Sequence, residues 1–464
     1  MAPPDIPTLD DPVELGGLQL PNRLYRAPLL EHAGNGPDAV DRLIADLEPA
    51  ADAGAGFIHQ GATIVTGEGG CAAPGMTRVH DPEFVAGLSE LTEAIHAHGS
   101  HIAVQLEHGG LRSMEVWHAG YRREHPDLDQ LAVSQPPKLL RVLDRLGFLD
   151  LSPHVLSTEE VEELAADFGR AAARCVDAGY DAVHIAGANM GIVQQFLSPY
   201  YNRRDDRFGI DPEVGAGVAF LELVAEEVRD RAGDVPLLTK VPSETPSLPG
   251  IRPHLDDDAA ARACERLASP RGEYDAVVPV RTSVFWDQSV VRGEFPARAW
   301  RDERLREGYR EAFGSLPRAL SVAAGNWVES HLYDFEPGWN RDLCQRVRER
   351  VDAAVLCEGG LRERGQLDDT LATDADLVGM ARPFYAEPRL PARLLGQKRD
   401  PGVRVVCENC NNCAVAQAAG EAGVCRTPEV LAHAGELRKQ GAYETADGEN
   451  TGDADAGDSP RSME

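Results

Sequence analysis

Lysine is nearly missing from this chain. Its 464 residues include 46 basic side chains, of which only Lys138, Lys240, Lys398 and Lys439 are lysines, against 76 acidic ones, for a formal net charge of −30. An acid-rich, lysine-poor surface repels itself unless salt screens it, so the composition points to a halophile's cytoplasm. It also lacks the clustered cations that nucleic acid and anionic lipid require, and neither is expected as a partner. No apolar run approaches the roughly 20 residues of a membrane span. The N-terminal MAPPDIPTLDD has neither the basic nor the apolar part of a secretion signal, so the chain reads as soluble and cytoplasmic. A disulfide framework is absent too: the nine cysteines are odd in number, and Cys71, Cys175, Cys264, Cys344 and Cys357 are scattered singly, as suits a reducing compartment.

What the sequence does contain is a regular alternation. STEEVEELAADFGRAAARCVDAGYDAVHIAG opens with a capping box, Ser157 with Glu160, and puts Val161, Leu164, Phe168, Ala172 and Cys175 on one helical face before Gly179 ends the helix. The apolar DAVHIAGAN follows as a strand. Candidate strands recur as RLYRAP, GFIHQGAT, HIAVQLEH, AVHIAGAN, PLLTKVP, AVVPVRT, AAVLCEGG and ADLVGMARP. Eight buried strands alternating with helices indicate a parallel (β/α)8 barrel, a TIM barrel in the α/β class, with a doubly wound open sheet as the alternative. Two connections, after the third and sixth strands, are too long for turns and leave the strand ends where barrel sites lie, which makes them candidate lids. The expected organisation is a barrel over residues 1–400, a cysteine-bearing extension over 401–435 and an acidic, disordered tail over 436–464.

Near the C-terminus Cys407, Cys410, Cys413 and Cys425 form C-x2-C-x2-C-x11-C. Three thiolates this close wrap one corner of a cubane while a distant fourth reaches the last iron, so a 4Fe-4S cluster is expected, with zinc as the alternative. The stretch DLVGMARPF supplies Ala381 and Arg382 after the eighth strand, and CEGG supplies Gly359 and Gly360 after the seventh. Small residues and an arginine at these two strand ends favour a bound phosphate.

These residues resemble the old yellow enzyme family of FMN oxidoreductases, and among its members the iron-sulfur group of 2,4-dienoyl-CoA reductase and trimethylamine dehydrogenase. The resemblance runs over about residues 12 to 430, through PNRLYRAPLL, GATIV, VQLEHGG, HIAGANMGIVQQFLSPYYNRRDDRFG, DLVGMARPF and the four cysteines. It implies FMN, with Pro28, Leu29, Leu30 and Ala62 beside the flavin ring, Gln105 on its pyrimidine edge, Lys240 near N1 and O2, and Gly359, Gly360, Ala381 and Arg382 on the phosphate. Two family positions depart: a substrate-binding His is Ala186, leaving Asn189, and the proton-donating Tyr is Gly191. His184, His32 and His108 are the candidate replacements. No G-x-G-x-x-G follows a strand after the cysteines, so a built-in nucleotide domain is expected to be missing.

The expected function is hydride transfer between flavin and a small organic substrate, enoyl, dienoyl or amine-like. Electrons pass through the cluster to or from an electron-transfer protein, or come from NAD(P)H, and oligomerisation is left open. The rival readings are a flavin and iron-sulfur electron-transfer subunit without turnover, and a zinc-stabilised barrel hydrolase or lyase using His184 with a carboxylate.

Overall fold

The computed structural model describes residues 6–245, 253–283, 291–396 and 400–445. All eight segments read as strands form: Leu24–Arg26 (β1), Phe57–Ile64 (β2), His101–Glu107 (β3), Ala182–Ile185 (β4), Leu237–Thr245 (β5), Ala276–Ser283 (β6), Ala354–Glu358 (β7) and Leu377–Met380 (β8). Each pairs in parallel with its sequence neighbours, and β8 pairs with β1 to close the ring, so the sheet is a barrel and not an open doubly wound sheet.

Strand residues alternate sides, and the alternation builds the interior in layers. Ile58, Ile102, Val183, Leu237, Val277 and Val355 point outward into one core shared with the helices. Their neighbours Phe57, Ala103, Ala182, Leu238, Ala276 and Leu377 point inward, where Leu15 and Leu20 of an N-terminal hairpin pack against them. One pleat further along, the inward positions are polar: His59, Gln105, His184 and Lys240. The barrel is thus apolar at its lower end and polar toward its mouth.

The helix Thr158–Asp177 starts on the expected capping box. The Ser157 N–H donates to Glu160 Oε2 at 2.7 Å, and the Glu160 N–H donates to Ser157 Oγ at 3.2 Å. All five residues assigned to its apolar face are buried.

The long connection after β3 carries short helices and a parallel pair of strands, Gln130–Ala132 with Pro153–Val155. Among the described residues, the one after β6 carries the α-helices Ala297–Arg301, Arg306–Phe313 and Leu316–Leu332. Both stand over the mouth of the barrel.

The C-terminal segment differs from expectation at its end. Residues 436–439 continue the helix Pro428–Lys439. Beyond it Tyr443 is buried and its hydroxyl donates to Glu387 Oε1 at 2.8 Å. Apolar Leu437 and Tyr443 give this stretch something to bury, so the acidic tail does not begin at 436; residues 446–464 lie outside the described residues. The extension entered at residue 401 is bonded to the barrel, the Arg364 N–H donating to Val403 O at 2.9 Å and the Val405 N–H to Arg362 O at 3.0 Å.

Among the described residues no helix is long and apolar enough to cross a membrane.

Candidate active site at the barrel mouth

A cavity of about 650 Å³ opens at the C-terminal ends of the strands. Pro28, Leu29 and Leu30 line it after β1, Ala62 on β2, Gln105 on β3, Asn189 after β4, Lys240 on β5, Gly359 and Gly360 after β7, and Ala381 and Arg382 after β8. Every residue expected to touch the cofactor is therefore on one wall system, together with Asn189. Trp117 and Phe148 from the first long connection and Trp300, Phe313 and Trp339 from the second complete the walls. A volume of this size, largely apolar with a few convergent polar groups, is that of a small-molecule or cofactor site.

Close backbone contacts hold the loops in place. A Cβ on Gly61 would fall 1.3 Å from the Leu29 carbonyl oxygen, and one on Gly187 would fall 1.8 Å from the Lys240 carbonyl oxygen, so only glycine fits either position. Beside Gly61 the Glu31 carboxylate accepts from the Gly61 N–H at 3.0 and 3.1 Å and from Arg26 at 3.0 Å, while Arg26 also donates to Asp46 at 3.0 Å. This buried group ties the Pro28–Leu30 loop to β2. Burial pushes the Glu31 carboxyl up to about 7, against the opposing pull of Arg26.

The turn after β4 has Asn189 and Met190 at φ 60° and 59°, in the left-handed region. Its backbone is held by buried glutamines: the Met190 N–H donates to Gln194 Oε1 at 2.7 Å, and Gln195 Nε2 donates to Met190 O at 2.6 Å. Further along, Asn202 Nδ2 donates to the carbonyls of Phe196 and Phe208 at 2.8 and 2.7 Å. The QQFLSPYYN stretch is thus a scaffold for the Asn189 turn.

Lys240 has the partner that a buried lysine needs: its ammonium is ion-paired with Glu358 on β7, both side chains being nearly buried and lining the cavity. Glu358 escaped the sequence reading, although a carboxylate in the apolar run AAVLCEGG was the signal. Arg362 escaped it as well. Arg362 lines the cavity, is 6% exposed, and has Nε and Nη1 without hydrogen-bond partners among the described residues. Glu107 is a third omission, on the inward face of β3 with Gln105.

The three candidate histidines do not line the cavity. His184 is fully buried beneath it, with Nδ1 3.2 Å from His59 Nδ1 and Nε2 3.5 Å from Gln105 Nε2. Burial and the neighbouring His59 hold it neutral, far below the usual imidazole range. Its neighbours are an imidazole and an amide, so the pairing with a carboxylate that a hydrolase reading needs is not formed. His108 accepts from the Gly110 N–H at 3.1 Å and covers Gly70, and His32 packs on Gly75. Burial lowers both to about 4. Neither faces the cavity because each side chain turns into the loop that follows its strand.

Behind Arg382 lies a second, small cavity, lined by Cys407, Cys410, Cys413 and Cys425. Asn409 and Asn411, at φ 60° and 58°, bend the chain on either side of Cys410, a conformation that asparagine tolerates. The loop is anchored to the barrel, since Arg382 donates to Asn411 Oδ1 and to the carbonyls of Val291 and Arg292, the latter two at 3.1 Å. Arg382 and Tyr385 line both cavities. Burial pushes the Cys413 thiol up to about 12, and the other three thiols oppose its ionisation further. A cationic iron core is what would offset four thiolates here. Among the described residues no group of three or more His, Cys, Asp or Glu stands close enough to hold a metal ion, while the four thiols line one shared cavity.

The residues expected to hold a phosphate also share one wall. Gly359 and Gly360 sit at φ 109° and 76°, and Arg362 and Arg382 bring two guanidinium groups to the same wall.

Comparison with known proteins agrees with this geometry. Residues 8–253 match the NADH:flavin oxidoreductase / NADH oxidase family. A metal reductase of Desulforamulus reducens is 29% identical over 396 residues, which are 83% of this chain and 48% of that protein. A 4,4'-dithiodibutanoate disulfide reductase of Rhodococcus erythropolis is 25% identical over 88% of this chain and 92% of its own length. Among solved structures, histamine dehydrogenase from Rhizobium sp. 4-9 superposes with a TM-score of 0.67 at 20% identity, over 92% of this chain and 53% of that one. Morphinone reductase gives 0.58 at 22% identity, over 84% of this chain and 90% of that one. The chain spans about half the length of several of the relatives it matches.

Proposed function

The chain belongs to the NADH:flavin oxidoreductase / NADH oxidase family, and from that premise we propose that it is an FMN- and 4Fe-4S-dependent oxidoreductase acting on a small organic substrate. One observation carries the reading: the cavity that gathers the ten expected flavin residues shares Arg382 and Tyr385 with the cavity lined by four cysteines. Bound flavin supplies the conversion between two-electron hydride chemistry and single-electron transfer.

The chain's own residues do the rest. Gly359, Gly360, Ala381, Arg362 and Arg382 hold the phosphate, Gln105 and Lys240 hold the pyrimidine edge, and Pro28–Leu30 with Ala62 flank the ring. Cys407, Cys410, Cys413 and Cys425 ligate the cluster. The aromatic side chains of the two long connections cover the mouth and keep water from the reacting atoms. A cluster held by these cysteines would supply single-electron exchange with a one-electron protein partner, and NAD(P)H would be the alternative source of electrons. The acidic, lysine-poor surface supports a halophilic cytoplasm as the setting.

Protein purified anaerobically in high salt tests this. It should contain FMN with about four iron and four sulfide per chain and show both absorption bands. A colourless protein, or one with zinc in place of iron, rejects the reading.

A further inference from the structure

Ten large apolar side chains stand exposed among the described residues, and seven of them belong to the two long connections over the mouth. Five are on the single helix Leu316–Leu332: Leu316, Leu320, Trp327, Val328 and Leu332, each between 37 and 70% exposed. The other two are Val142 and Leu146, on and just after the helix Lys138–Arg145. Gly147 beside them lies against the Arg318 side chain, so the apolar patch runs on across both connections. The outward half of the Leu316–Leu332 helix has no acidic or basic side chain except His331. Arg318 and Glu329 fall on its other side, where Glu329 and Asn326 line the cavity.

This face has a symmetry of its own. Leu316, Leu320, Ala324, Val328 and Leu332 follow one another at intervals of four and so form one ridge along the helix. The ridge reads nearly the same from either end, with its smallest side chain in the middle. A two-fold contact requires such a surface, because residue i must meet j wherever j meets i. An axis through Ala324 sets Leu320 of each copy beside Val328 of the other, and the small Ala324 lets the two backbones approach.

We propose that the Leu316–Leu332 helix is the two-fold interface of a homodimer, packed antiparallel on its own copy through the ridge centred on Ala324. Charge favours a second copy as the occupant. Chains of net charge −30 repel one another, and the repulsion is least where both surfaces are uncharged. A lipid surface fits poorly, since helices that lie on one carry Lys and Arg beside the apolar stripe, and this helix has a single arginine on its inner side. A helix of 17 residues, about 25 Å long, supplies only part of the roughly 800 Å² that each side of a stable interface buries. Val142 and Leu146 extend the face in that direction. Because the same helix lines the mouth cavity with its other side, each copy braces the cover of the other's cavity.

Sedimentation equilibrium of the full chain, over a dilution series in moderate and in multimolar KCl, tests the interface. The parent should be a dimer of twice the 50.2 kDa chain mass. It should associate more tightly in the higher salt, which screens the repulsion between copies and leaves the apolar contact. Leu320→Glu and Val328→Glu should each raise the dissociation constant about a hundredfold or more, since every substitution enters the contact twice, with the thermal midpoint unchanged. Leu431→Glu, at an exposed leucine of the helix Pro428–Lys439, should keep the parental value. Ala324→Cys gives an independent reading if a glutamate variant fails to fold. With both thiols at the axis, diamide should link the two copies into a dimer on a non-reducing gel and should not do so in the parent. A monomeric parent overturns the proposal, as does a dimer that survives both glutamate substitutions or one in which Ala324→Cys forms no cross-link.

Discussion

Lys240 on β5 and Glu358 on β7 form an ion pair across the inside of the barrel, at the edge of the mouth cavity. A lone cation there would stabilise the negative charge of a reduced flavin, and the carboxylate beside it cancels part of that field. Glu358→Gln should therefore raise the flavin midpoint potential, by on the order of 30 mV for a two-electron couple, which is about 1.4 kcal/mol. Lys240→Ala should lower it. Spectroelectrochemical titration measures both, and equal potentials in parent and Glu358→Gln would detach the pair from the flavin.

Arg382 joins the two cavities. Its guanidinium should bind the flavin phosphate, so Arg382→Ala is expected to weaken FMN binding by about 1.5 to 3 kcal/mol, the scale of a hydrogen bond to a charged group. Riboflavin, which has no phosphate, should bind the variant and the parent alike. Fluorescence titration of the flavin-free protein with both ligands makes the comparison, and equal losses for the two would place the phosphate elsewhere.

Cys410 lies at the bend of the cysteine loop, with its Sγ 2.9 Å from Thr427 Oγ1. Cys410→Ser should lose the broad visible absorption of a cluster, together with iron and sulfide, while much of the flavin remains. The loop stands outside the barrel core and meets the phosphate wall through the Arg382 contact with Asn411 and the Val405 N–H bond to the Arg362 carbonyl at 3.0 Å. Iron retained at the parental level contradicts the ligand assignment.

Acid should act through Asp206, whose carboxylate is bound by Arg204, by Thr158 Oγ1 at 2.8 Å and by the Phe208 N–H at 3.1 Å. The bond from Arg204 leads in holding it down to about 2, below the ordinary value of 3.8. A depressed carboxyl adds stability that is complete above the unfolded value and is lost as pH falls from about 4 to 2. Asp206→Asn should consequently lose less of its thermal midpoint than the parent over that interval, at constant high salt. Identical slopes would show that Asp206 does not sense acid.

Much of the site was legible because strand ends leave local signatures. Gly359, Gly360, Ala381 and Arg382 are recognisable from small residues and an arginine following apolar runs, and the cysteine spacing needs no tertiary context at all. Lys240 announced a partner by its position in PLLTKVP, but the partner, Glu358, lies more than a hundred residues away in the chain and only the closure of the barrel brings the two together. Arg362 and Glu107 were passed over because an isolated charge next to a glycine-rich turn looks like a surface residue until its burial is known.

The histidines show the limit most clearly. Strand periodicity puts His184 on the inward face, as it is, yet periodicity gives direction and not height, and the residue lies below the floor against His59 and Gln105. Local sequence by itself determined which segments are strands, which helix is capped at Ser157 and which cysteines are grouped along the chain, since those depend on neighbours a few residues apart. Only the tertiary structure decided which inward side chains reach the cavity, that Arg382 serves two cavities, and that residues 436–445 fold back to bury Tyr443. These depend on distances between segments far apart in the chain, which are set when eight strands close and their layers stack.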